Sequence, residues 1–132
     1  MIKILSCLLV LAGLLMSAGC STPHSVAKMK GLGEKRAFDV GYDPVWNAVK
    51  AVAVMDDLHV LNADESTGCI LARHGMDQQT FGDNVAIWIR QISPTRTEVE
   101  VISRRVGPPV PFTPNHEHAI LRNIAKVLSS SA

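Results

Sequence analysis

Two histidines one residue apart, His116 and His118 in "NHEH", form the pair in this chain whose types could hold a metal ion. Residues i and i+2 on a helix point about 200° apart, because a turn holds about 3.6 residues. The two imidazoles could share one ion only on extended backbone, and Thr113-Pro114 just before them signals a helix start instead. A zinc site also needs further ligands, and His74, His59 or Cys69 would have to be brought to it by the fold. The expectation is a solvated helix start, with no metal and no cofactor. Nucleophilic catalysis would need Cys69 or a serine beside a base and an oxyanion site. Cys69 follows Gly68 at a strand start, and the sequence has no nucleophile elbow, phosphate loop or cofactor fingerprint. Asp56-Asp57 sit side by side, and adjacent helical side chains diverge, so the pair reads as a polar helix end. With no catalytic residue to name, the chain is expected not to be an enzyme.

A third chemistry belongs to Cys20, in "LLMSAGCSTP". Met1-Ile2-Lys3 is a short positive start, Ile4 to Met16 is almost wholly apolar, and Ser17-Ala18-Gly19 are small. That is the anatomy of a secretory signal. The apolar run falls short of the roughly 20 residues that a membrane-spanning helix needs. "LMSAGC" resembles the lipobox of bacterial lipoproteins. The resemblance implies that the Cys20 thiol is alkylated by a diacylglycerol, that residues 1–19 are cut away, and that the new amine is acylated (a palmitate-type modification). Each buried CH₂ is worth about 0.8 kcal/mol, so three chains on one residue would anchor it permanently. Ser21 rather than aspartate after the cysteine implies, in a double-membrane bacterium, the cell outer membrane facing the periplasm.

The 132 residues less the first 19 leave 113, the size of one domain. Across the whole chain 13 Lys+Arg face 12 Asp+Glu, and no basic run exceeds Arg104-Arg105. Nucleic-acid binding needs a basic footprint, so nucleic acid is not an expected partner. Cys7 leaves with the signal and Cys20 takes the lipid, so Cys69 remains alone and is expected to be buried.

The rest of the sequence supplies the elements that position these residues. "STPHSVAKMKGLGEKR" lacks sustained periodicity, so residues 20–36 read as the lipidated cysteine and a flexible tether. A tether of that length would average roughly 20–25 Å end to end. A single domain is expected over 37–132. "AFDVGY" alternates as a short strand, and Asp43-Pro44 then opens a helix running to about Leu58. Val45, Ala48, Val49, Ala51, Val52 and Met55 form its apolar stripe. "HVLNA", the turn-rich "DESTG" and "CILARH" read as a hairpin. "NVAIWIRQI" and "TEVEVIS" follow around the turn "SPTR". Val85, Ile87, Ile89, Val99 and Val101 face inward, with Glu98 and Glu100 outward and wet. "RRVGPPVPFTP" interrupts, and the last helix carries Ile120, Leu121, Ile124, Val127 and Leu128.

The order β-α-β-β-β-β-α predicts an α+β fold: an antiparallel sheet with both helices packed on one face. It resembles a helix-grip domain, through "YDPVWNAVKAV", "DESTGCILA", "NVAIWIRQI" and "TEVEVIS". It looks like the small repeats of the lipoprotein C subunit of the barrel-assembly machinery, and like other short lipoproteins. Trp88 falls on the sheet face away from the helices, where it either packs on outer-face neighbours such as Ile102 or anchors a partner. Val110 and Phe112, in the proline-rich stretch, are candidates to help it. The expected role is a lipid-anchored, non-catalytic binding or assembly accessory whose partner is another envelope protein. The alternative is a carrier or sensor of a small apolar ligand held between sheet and helices. A hydrolase or thiol enzyme comes third.

Overall fold

The alternation in "TEVEVIS" and the apolar run of "NVAIWIRQI" make those segments strands, and they pair along nearly their whole length. The computed structural model describes residues 23–75, 82–106 and 116–131. Its elements are α1 (Pro23–Ala27), β1 (Glu34–Phe38), α2 (Tyr42–Met55), β2 (Leu58–Asp64), β3 (Cys69–His74), β4 (Asp83–Ser93), β5 (Arg96–Arg105) and α3 (His116–Ser130). The strands form one antiparallel sheet in the order β1-β5-β4-β3-β2. Helix α2 carries the chain from one edge strand to the other, and α2 and α3 pack on one face. The predicted α+β architecture is thus the observed one. No helix among the described residues is long and apolar enough to cross a membrane.

The core lies between that face and the two helices. Val85, Ile87, Ile89, Val99 and Val101 are buried against Val45, Val49 and Val52 of α2 and Ile120, Leu121 and Ile124 of α3. The stripe on α2 departs from its prediction at four places. Trp46 and Ala53 are buried, whereas Ala51 and Met55 are exposed. Tyr42 stacks on Trp46, with ring centroids 6.1 Å apart. The helix begins at Tyr42 with Gly41 as N-cap, not at Asp43. Asp43 and Pro44 fall inside the first turn, where a missing N–H costs nothing and a carboxylate suits the helix dipole.

The stretch before β1 is the main correction to the sequence reading. Residues 23–33, expected to be part of a tether, are held against the sheet through Val26 and through Glu100. Val26 is fully buried on the outer sheet face against Ala86 and Ile102, with Met29, Leu71 and Trp88 around them. Glu100, expected to be wet, is only 4% exposed. Its carboxylate accepts the Gly31 N–H at 2.9 and 2.8 Å and the Gly33 N–H at 2.9 Å. Gly33 lies so close to β5 that a Cβ there would collide with the Val101 carbonyl and the Ile102 side chain. The physical reason is long-range pairing. One apolar residue and two N–H groups find partners almost 70 residues away, and no local pattern announces that. Strand β1 likewise starts at Glu34 and stops at Phe38, because it takes its register from β5.

Candidate functional site

Antiparallel pairing brings unlike residues of neighbouring strands opposite one another on one face. His74 ends β3 and Asp83 begins β4, and the two are direct partners in the ladder. Asp83 is also the partner of Arg105 at the end of β5. All three therefore lie on the helix side, at one end of the sheet. Helix α3 starts above them. Its first turn is held by Glu117, which accepts the Ser103 N–H at 3.0 Å and pairs with Arg104 at 3.0 Å. That placement sets His116 over Asp83.

The resulting cluster is tight. His116 Nε2 lies 3.1 Å from Asp83 Oδ2, and Arg105 Nε lies 3.9 Å from Asp83 Oδ1. The His74 and His116 rings have centroids 4.6 Å apart and are tilted by 46°. One ligand-type atom each from His74, Asp83 and His116 all fall within 4.8 Å of one another. The Asp83 side chain is 7% exposed and that of His116 24%. A cleft of about 250 Å³ opens on the two histidines, bounded by Met55, Asp56 and Asp57 at the end of α2 and by Asn123 of α3. Asn123 Nδ2 donates to both Asp56 oxygens at 3.0 Å, tying the helices together across that cleft. Two imidazoles and a buried carboxylate at the mouth of a cleft can hold a proton or a cation.

Glycine sets the register of this corner. Gly82 has φ +77, and a Cβ on it would stand 2.5 Å from the Gly75 carbonyl oxygen and 2.7 Å from that of His74. The same Gly82 carbonyl accepts the Val106 N–H at 3.0 Å. A bare backbone thus lets the ends of β3, β4 and β5 close together.

The residues singled out in the sequence distribute as follows. His116 and His118 diverge, and His118 Nδ1 meets Glu34 at 2.9 Å. Asp56 caps α2, and Asp57 has φ 53 in the turn after it. Cys69 is buried at the opposite end of β3. Trp88 is half-buried on the outer face, with Lys30 Nζ 4.5 Å from its ring centroid. The chain's own segment 23–33 therefore occupies part of the surface expected to receive a partner. Cys20, Val110 and Phe112 lie outside the described residues. What the sequence reading missed is the conjunction of His74 with Asp83 and His116.

No protein-family model matches the chain, and no curated protein matches it. The fold is similar to that of an uncharacterised protein from Bacillus thuringiensis, at 9% identity and TM-score 0.52, over 74% of this chain and 95% of that one. It is more loosely similar to the di-domain aromatase/cyclase StfQ of the steffimycin biosynthetic pathway, at 11% identity and TM-score 0.43, over 75% of this chain and 44% of that one. The figures for Ara h 8.0201 are 11% and 0.34, over 74% and 95%. The class is therefore a helix-grip-like α+β fold, an antiparallel sheet with two helices packed on one face. At such identities the likeness reaches the fold and nothing further.

Proposed function

We propose that this chain is a lipid-anchored cell-envelope protein, held through Cys20 in the outer membrane and facing the periplasm. Its single helix-grip domain acts as a non-catalytic binding or assembly accessory for another envelope protein. The anchor rests on "LMSAGC" in the sequence. The observation that carries the binding role is a set of exposed apolar side chains at one edge of the fold. Val54 and Met55 at the end of α2 are 79% and 66% exposed, and Val60 and Leu61 on edge strand β2 are 43% and 44% exposed. The β2–β3 register shifts between Val60 and Asn62, which makes Leu61 a bulge residue. A bulge blunts an edge against strand addition, so the contact is made through side chains.

The ligand-carrier alternative is less well supported, because the space between sheet and helices is filled by fully buried aliphatic residues such as Val49, Val52, Ile87 and Ile124. Intact-mass analysis of membrane-extracted protein tests the anchor. A chain beginning at acylated Cys20 is expected, and one beginning at Met1 or at an unmodified residue overturns it. Photo-crosslinking from position 61 tests the surface. An envelope-protein adduct lost on Val54→Asp is the expected outcome, and the absence of any specific adduct counts against the reading.

A further inference from the structure

We propose that His74, Asp83 and His116 form a binding site for a divalent first-row transition metal of the Zn²⁺ type, its remaining coordination position open to the cleft. Two imidazoles and one carboxylate are a donor set that such borderline cations favour, and three protein ligands with one open position are a recurrent arrangement for zinc. The inference goes beyond the proposed accessory role and does not depend on it.

Distance decides whether the cluster can close. Bonds of about 2.0–2.1 Å place tetrahedral ligand atoms about 3.4 Å apart. The Asp83–His116 edge, at 3.1 Å, already has that length. The widest separation within the trio is no more than 4.8 Å, so the correction is on the order of an ångström. Rotation of the partly exposed His74 ring supplies it without backbone movement. The Asp83 carboxylate divides its two oxygens. Oδ2 faces His116, while Oδ1 faces Arg105 Nε at 3.9 Å. The arginine can stay as an orienting partner behind the ligand, as outer groups commonly do at metal sites. Its positive charge lowers the attraction for a cation, and Asp56 and Asp57 at the cleft mouth offset that. The cleft of about 250 Å³ gives water or a ligand access to the open position.

The competing account is that Asp83 and His116 make only an ion pair, with a proton where the metal would sit. Titrating Zn²⁺ into chelator-treated full-length protein in detergent separates the two. One equivalent is expected to bind, with proton release that makes binding weaker as pH falls. His74→Ala and His116→Ala should each weaken it at least about tenfold, the scale on which even outer partners act. His118→Ala and His59→Ala should leave it unchanged, and Mg²⁺, which prefers oxygen ligands, should not compete. Thermal melts provide a second readout. Zn²⁺ should raise the Tm of the wild type by mass action, and that of His74→Ala by clearly less at the same concentration. Absence of stoichiometric binding, binding unaffected by His74→Ala, or equal Zn²⁺ stabilisation of His74→Ala overturns the proposal.

Discussion

Cys69 opens β3 on the outer face, opposite Trp88 in the ladder. Burial pushes its thiol up from 9.0 to about 11, against a smaller opposing pull from the Lys30 ammonium. The thiolate is thus the disfavoured form in the folded chain. Below pH 9 the thiol is protonated in both folded and unfolded states, and the stability linked to it is fully present. As pH rises from about 9 to about 11 the unfolded thiol ionises first, so that stability is lost across this window. Reactivity follows the same sign, because the thiolate is the nucleophile. In a chain starting at residue 20 with Cys20→Ser, labelling of Cys69 by a disulfide reagent at pH 8 should run at least about tenfold slower than for an ordinary thiol, the lower thiolate fraction outweighing its greater nucleophilicity. It should recover fully in denaturant. Fast labelling of the native chain would mean that the thiol is open to solvent.

The helix-side faces of β4 and β5 obey the alternation that predicts them. Ile87 sits at the middle of β4, fully buried between α2 and α3. Ile87→Ala should cost about 2–5 kcal/mol in urea unfolding, the usual range for truncating a buried branched side chain. A loss below about 0.5 kcal/mol would put the strand the other way round. Strands β4 and β5, both long helices and the helix-side core were legible from periods of two or 3.6, and the β2–β3 hairpin from the turn-rich "DESTG". The segment around Val26 was not, since its single anchor repeats at neither period and Glu100, its polar partner, looks like any outward glutamate. The metal candidate was half legible. His74 ends one strand of a hairpin and Asp83 begins the next, so their pairing follows once the hairpin is accepted. The arrival of His116 depends on where α3 lands, and the proline-rich run before it carries no register.

At the scale of the whole molecule, one sheet face bears the core and the other bears the start of the described chain. Helix α1 begins at Pro23. Under the proposed anchoring at Cys20, only Ser21 and Thr22 separate the lipid from that packed helix. Three steps of extended backbone span at most about 10–11 Å. If the anchoring holds, the outer face, with Lys30 over Trp88, is expected to lie near the lipid headgroups. Energy transfer from a dye at position 28 to a bilayer acceptor should therefore be efficient. It should fall when about 20 Gly/Ser residues are inserted after Thr22, since such a linker averages roughly 22–27 Å. Equal transfer in both forms would show that the leash does not set the height. If the proposed anchor holds, it is also a compass: the exposed apolar edge at Val54, Met55, Val60 and Leu61 would explore a shallow layer above the membrane rather than the full depth of the compartment.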